Sequence, residues 1–345
     1  VHIVHCDYHA LSLPAGGYDL ILFVGVLEYA RRFGDKNLSA REAVTLMLKK
    51  ALGALAPGGI IVIAIENRLG AKYLFGGPED HLTRPWVGIS NYPVIVDDPG
   101  ITTFSANEWA TLLDSLGVSH AFYYPLPDYK LPEAIISKSG LGRQGARSLL
   151  WRYGSVHRAL PRSGQTPTRL QTSALHDEGL LESVADSFGI VVSHQDHKAS
   201  DRIPHPWVVF DDPDSDGFSG LALDRIGDRV RRFRDANGSG QDCPAGEPLL
   251  QFWLRMLAGL GSLAHFAQMA AKHADQVCER GPSQDPSALL IADDGNVAPA
   301  AFPWADFSGR PVANDPSLWL TRALHVFWRE ATDDIQSLSG LEDCA

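Results

Sequence analysis

Cysteine is scarce in this chain of 345 residues: Cys6, Cys243, Cys278 and Cys344 are widely scattered and form no C-x-x-C pair. Such spacing excludes a disulfide-stapled scaffold and a cysteine-based zinc site, and a reducing cytoplasm is the expected compartment. Long apolar runs are missing as well. The longest, Leu20–Leu27 and Ile60–Ile65, fall far short of the roughly 18–20 residues that span a bilayer. No basic stretch leads into an apolar one near Val1, so no secretory signal is expected. Positive charge is also in deficit: 30 Lys and Arg against 41 Asp and Glu give a net charge of −11. That balance argues against a general nucleic-acid binder.

What is present is ordinary globular material, 45% hydrophobic and long enough for two domains. Over residues 1–137 short apolar runs alternate with helical stretches, the pattern of an α/β domain with a parallel sheet. Val1–His5 is a short strand candidate, and Tyr18–Gly25 reads as a central strand covered on both faces. Ser39-Ala40-Arg41-Glu42 is a capping box, in which each side chain satisfies an orphan backbone N–H, and it predicts a helix stopped by Pro57-Gly58-Gly59. Ile60–Ile65 is the next buried strand. A second capping box, Ser105-Ala106-Asn107-Glu108, opens a helix ending near Gly117, with Phe104 and Trp109 as a hydrophobic staple. Ala121–Tyr124 and Ala134–Ser137 are expected to pair as a hairpin.

Residues 138–176 carry seven basic side chains and no Asp or Glu before Asp177. This segment reads as a solvated basic linker with one short helix around Leu149–Leu160, or as a contact for anionic lipid at a membrane surface or for a phosphorylated substrate. Residues 177–345 read as a second α+β, mostly helical domain. Pro248–Val277 is its longest helix candidate. Asp293-Asp294-Gly295-Asn296 marks a hairpin turn, and Ser317–Ile335 is a final amphipathic helix. Trp253, Trp319 and Trp328 sit at helical spacing and are expected in the core.

In open parallel sheets ligands bind beyond the carboxyl ends of the strands. Asp7, Glu28 and Glu66 each follow an apolar run by one or two positions, which sets three carboxylates along one rim. Elsewhere, His194, Asp196, His197, Asp201 and His205 match no helix-based metal-ligand spacing and read as an irregular polar loop. Asp211–Gly217 has the look of a calcium loop, but Ala222 occupies the twelfth position, where a Glu is required.

The order of these pieces resembles the class I S-adenosylmethionine-dependent methyltransferases from their third strand onward. Asp7, Tyr18–Leu22, Val26-Leu27-Glu28-Tyr29 and the Leu55–Gly59 turn carry the general likeness. Glu66-Asn67-Arg68-Leu69-Gly70-Ala71-Lys72-Tyr73, Pro78-Glu79-Asp80-His81 and Phe122–Pro132 are similar to a bacterial subgroup of surface-polysaccharide and O-antigen synthesis. The fold so implied is an incomplete Rossmann-like sheet, because the glycine-rich turn and the ribose-binding acid of the family would precede Asp7. Either an upstream segment supplies them, or Val1–His5 moves beside the Tyr18–Gly25 strand. In both cases weak or absent binding of S-adenosylmethionine by this chain alone is expected.

The resemblance further implies site residues. Asp7 and Tyr8 on the adenine side, and Gly25, Leu27 and Glu28 on the methionine side, would hold the cofactor. Asn67, Arg68, Lys72, Tyr73, Glu79, Asp80 and Arg84 would face the acceptor. His81, as general base, and Glu66 would be catalytic. The acceptor would be a sugar or phosphate group of a glycan or glycolipid precursor, and a glycosyltransferase is the expected protein partner. A non-catalytic scaffold with a degenerate methyltransferase fold is the alternative. A kinase-like second domain rests on Asp293-Asp294-Gly295 alone.

Overall fold

The computed structural model describes residues 3–35, 37–92, 100–143, 145–153, 169–203, 205–210, 220–223, 225–227, 229–232, 241–243, 245–260, 262–280, 285–286, 289–299 and 315–339. The protein is a mixed α/β structure. It divides into two compact units: Val1–Lys138 with Gly179–Pro204, and Ser139–Glu178 with His205–Ala345. The sequence places a second domain from Asp177 onward, but the chain returns to the first unit for Gly179–Pro204.

The reason for that return is a strand insertion. In the first unit β1 (Tyr18–Val24) and β2 (Leu55–Glu66) run parallel, Leu20 opposite Ile60 through Val24 opposite Ala64. β3 (Val118–Leu126) and β4 (Ala134–Ser137) form the expected hairpin. β5 (Ser187–His194) lies between β2 and β3, antiparallel to both, with Ile190 opposite Ile63 on one side and Phe122 on the other. The order is therefore β1-β2-β5-β3-β4. Ile61, Ile63, Ile65, Phe188, Ile190 and Val192 are buried along this seam. An apolar strand between two apolar strands satisfies its backbone and its side chains together.

Two helices form where the capping boxes predict. α1 (Ala40–Ala54) and α3 (Ala106–Ser115), with the single turn α2 (Ala71–Leu74) between them in the chain, each begin with both reciprocal bonds in place, and such caps contribute about 1 kcal/mol each. α1 buries Ala43, Val44, Met47, Leu48 and Ala51. α3 buries Trp109, whose ring meets Phe104 edge-on at 5.3 Å. β2 starts at Leu55, earlier than its apolar run, and absorbs Pro57-Gly58-Gly59. A Cβ at Gly59 would stand 3.0 Å from the carbonyl oxygens of Tyr18 and Asp19, so glycine permits this close approach to β1.

Ile3–His5 form no strand and are exposed. Among the described residues, β1 pairs with β2 alone. Leu20, Leu22 and Val24 are 51%, 58% and 54% exposed, so β1 is not the doubly covered strand that its composition predicts.

The second unit takes up part of the presumed linker. α4 (Ala146–Tyr153) buries Leu149, Leu150 and Trp151, and Trp151 joins a core with Leu250, Trp253, Phe266, Trp319 and Phe327. α5 (Arg169–Asp177) follows. Arg143 donates to the carbonyls of Arg225 and Gly227, and Arg147 pairs with Asp177 at 2.7 Å. These side chains are committed to protein groups, which corrects the expectation of a solvated linker for this stretch; Arg158 and Arg162 lie outside the described residues.

The antiparallel strands β6 (Trp207–Phe210), β7 (Gly220–Leu223), β8 (Arg229–Arg232) and β9 (Gln241–Asp242) pair in that order. A second sheet joins β10 (Glu247–Pro248), β11 (Leu289–Ile291) and β12 (Val297–Pro299), with the predicted Asp-Gly turn between the last two. The single helix expected over Pro248–Val277 is two, α7 (Leu249–Leu260) and α8 (Leu263–Arg280). Ser262 caps the second through its Oγ. α9 spans Pro316–Ser339. Trp253 and Trp319 are fully buried, whereas Trp328 is exposed, contrary to expectation. The Asp211–Gly217 loop lies outside the described residues. No helix among those described is long and apolar enough to cross a membrane.

Candidate functional site

Beyond the carboxyl ends of β1 and β2 the chain of the first unit brings charged groups into a buried space. After Val24 the backbone turns at Gly25, with φ +59° and its N–H donated to Ala64 O at 2.9 Å. A Cβ here would lie 2.8 Å from Tyr129 Oη and 3.5 Å from Glu28 Oε1, so glycine is required both by the φ and by the space. The following single 3-10 turn, Leu27–Tyr29, buries both Leu27 and Glu28. Glu28 is 3% exposed, and its main-chain carbonyl accepts from Thr102 N at 3.0 Å. Glu66, the last residue of β2, is 2% exposed.

Two other segments complete the group. Tyr129 donates its hydroxyl to Glu66 Oε1 at 3.0 Å, and Lys130 Nζ lies 3.0 Å from the same oxygen and 2.8 Å from Asp80 Oδ2. Lys72 Nζ reaches Asp80 from the other side at 3.2 Å and rests over the Tyr73 ring. His81 Nδ1 sits 3.1 Å from Tyr29 Oη. Within this group three buried atoms have no hydrogen-bond partner: Glu28 Oε2, Glu66 Oε2 and His81 Nε2.

The electrostatics follow from this packing. Burial pushes the Glu28 carboxyl up to about 7; its own backbone N–H and Lys130 oppose the shift, while the charge of Glu66 adds to it. Asp80 is also disfavoured by burial, but Lys72 and Lys130 prevail and hold it below the usual carboxylate range. Burial and the neighbouring Glu66 and Glu28 charges raise the Tyr129 hydroxyl well above an ordinary phenol. Lys130, against the effect of burial, is held protonated by Asp80 and Glu66.

Of the residues singled out from the sequence, Gly25, Glu28, Glu66, Lys72, Tyr73, Asp80 and His81 meet here. Glu79 lies beside them but is committed to its own loop: it accepts from His81 N, Leu82 N and Tyr92 Oη. Leu27 belongs to the core. Asn67 is fully buried; its amide donates to Ser183 O and Ala185 O and accepts from Leu69 N, so it holds the chain rather than facing a ligand. Arg68 donates through Nε and Nη2 to Glu108 Oε2, bracing the second capping box. Asp7 is exposed and caps a turn through His9 N, Tyr8 donates to Met47 O, and Arg84 is exposed. Tyr29, Tyr92, Tyr129 and Lys130 were not foreseen as site residues. For the last two, the Tyr-Pro-x-Pro-Asp-Tyr-Lys segment was the available signal.

No family model matches the chain, and no curated protein matches it. Among solved structures it aligns with the YcgJ protein of Bacillus subtilis at 13% identity and a TM-score of 0.24, over 55% of this chain and 68% of that one. A likeness this weak carries no argument about the activity.

Proposed function

We propose that the first unit carries the acceptor side of an S-adenosylmethionine-dependent methyltransferase, acting on a sugar hydroxyl or phosphate of a bacterial surface-polysaccharide precursor. The observation that carries this reading is the gathering of Glu28, Glu66 and His81 beyond the carboxyl ends of the parallel pair β1–β2. The order β1-β2-β5-β3 supports it, since the resemblance implies a sheet ordered 3-2-1-4-5-7-6, of which these strands correspond to the 4-5-7-6 part.

The cofactor supplies, when bound, an electrophilic methyl group. The methionine end would lie at the Gly25 turn; Tyr129 Oη stands 2.8 Å from where a Gly25 Cβ would be, so the Tyr129 side chain would have to turn aside to admit it. Glu66 and His81 each keep one buried polar atom free, and these can accept the proton of a hydroxyl brought against them. Lys72 and Lys130 neutralise Asp80 and leave the cluster anionic, which suits a cationic donor. Glu28 and Glu66 are shielded from bulk water, so positioning counts for much of the rate.

The test uses the full open reading frame that encodes this chain. Tritiated methyl from S-adenosylmethionine should enter the host's polysaccharide-precursor fraction, and His81→Ala should reduce that incorporation by at least ~100-fold. Absence of both incorporation and cofactor binding by the folded protein would defeat the proposal. A second reading, a scaffold module that docks a glycosyltransferase, is favoured by the exposed Leu20, Leu22 and Val24. It predicts that Leu22→Lys abolishes glycosyltransferase co-purification while no methyl transfer is found in the wild type.

A further inference from the structure

Glu28 Oε2, Glu66 Oε2 and His81 Nε2 are buried polar atoms with no hydrogen-bond partner. One ligand atom from each of these three residues lies within 4.8 Å of the other two. A buried polar atom without a partner costs about 1–3 kcal/mol, more for a charged group. Three such residues gathered in one place are therefore costly unless something binds there. We propose that Glu28, Glu66 and His81 form a mononuclear divalent-metal site, for Zn2+ or a similar transition ion.

The ligand chemistry fits. Two carboxylate oxygens and one imidazole nitrogen are a donor set of borderline hardness, suited to zinc and its first-row neighbours rather than to the all-oxygen shells of calcium and magnesium. Metal–ligand distances of about 2.1 Å set donor atoms roughly 3–3.5 Å apart, which small side-chain rotations reach from the present separation. Three protein ligands leave a coordination position open.

Outer partners already orient two of the three ligands, as metal sites require. With Nε2 on the ion, His81 carries its proton on Nδ1 and donates it to Tyr29 Oη. Glu66 is fixed through Oε1 by Tyr129 and Lys130, which leaves Oε2 to turn inward. Glu79 accepts the His81 main-chain N–H at 2.8 Å and sets the loop that presents the ring. Glu28, Glu66 and Asp80 bring three carboxylates to this space against the two ammonium groups of Lys72 and Lys130, so a bound cation would meet no excess of positive charge.

Metal would occupy the Glu66 and His81 atoms that the methyl-transfer reading uses as proton acceptors, so the two roles exclude each other at any one time, and the test reads metal binding alone. The purified chain is stripped with chelator, dialysed, and titrated with Co2+ under visible absorption, then with Zn2+ in competition. One equivalent of Co2+ should give a d–d band between about 500 and 650 nm that Zn2+ abolishes. His81→Ala and Glu66→Gln should each weaken Co2+ affinity by at least ~100-fold, and Tyr29→Phe by about 10-fold. His197→Ala, remote from the site in sequence and paired with Asp196, should leave it unchanged. Circular dichroism confirms that each variant is folded; His81, at the edge of the site, keeps the test usable if Glu66→Gln unfolds. The proposal fails if the wild-type chain takes up neither metal at 100-fold excess, or if folded His81→Ala binds Co2+ as the wild type does.

Discussion

Asn67 offers a direct test of how the first unit is held together, because the sequence and the structure assign it different work. Its side chain is fully buried and makes three hydrogen bonds, to Ser183 O at 2.9 Å, Ala185 O at 2.7 Å and from Leu69 N at 2.9 Å. Two of these satisfy carbonyls at the end of the short helix α6 (Leu181–Val184), directly before β5 enters the sheet. In Asn67→Ala all three backbone groups lose their partner, the Ala185 carbonyl in a buried setting and the other two in part-buried ones. At about 1–1.5 kcal/mol each the loss is roughly 3–5 kcal/mol. For a unit of this size that corresponds to a fall in melting temperature on the order of 10 °C. Asn67→Asp should be at least as damaging, since it turns an acceptor toward two carbonyl oxygens. Hydrogen exchange in urea, read at peptides covering Leu181–His194, isolates the first unit from the second. A loss below about 0.5 kcal/mol for both variants would refute the assignment and return Asn67 to the acceptor side.

Other outcomes follow from the same packing. Gly25→Ala places a Cβ against Tyr129 Oη at a φ that costs an L-residue about 1–2 kcal/mol; displacement of Tyr129 should bring the total to roughly 2–3 kcal/mol in thermal denaturation. Lys130→Met removes a cation shared by Glu66 and Asp80. Because Lys130 is half exposed, solvent screening limits the loss to about 1–2 kcal/mol, measured by urea denaturation at neutral pH. In the second unit burial, with a contribution from Lys272, lowers His273 to about 4, and Trp253 Nε1 donates to its Nδ1 at 3.0 Å. The folded state therefore binds fewer protons than the unfolded chain between about pH 4 and the ordinary value near 6.5. Stability from this residue is complete above that value and falls as the pH drops toward 4, by at most about 3 kcal/mol. A pH series on wild type and His273→Gln should show that slope in the wild type alone.

What was legible in the sequence was local. Ser39 and Ser105 announce their helices because a capping box involves four consecutive residues, and the hairpin of β3 and β4 follows from two apolar runs close in sequence. Long-range pairings gave no such signal. The strand at Ser187–His194 is readable as a strand, but its place between β2 and β3 depends on partners more than 60 residues away. Arg143 and Arg147 look like a solvated linker because their partners, two carbonyls and Asp177, lie 30 residues or more downstream. The site divides in the same way. Glu28, Glu66 and His81 stand out singly, by following apolar runs or by their chemistry. Their convergence, and the roles of Tyr29, Tyr129 and Lys130, arise from packing that no local pattern encodes.

The central claim, that the space beyond β1 and β2 is a methyl-transfer site, is tested most directly by label transfer with the intact reading frame. Tritiated methyl from S-adenosylmethionine should appear in the polysaccharide-precursor fraction with the wild type and should fall by at least ~100-fold with His81→Ala at unchanged folding. Transfer that proceeds equally in the two proteins, or a folded wild type that neither binds the cofactor nor transfers label, would contradict it.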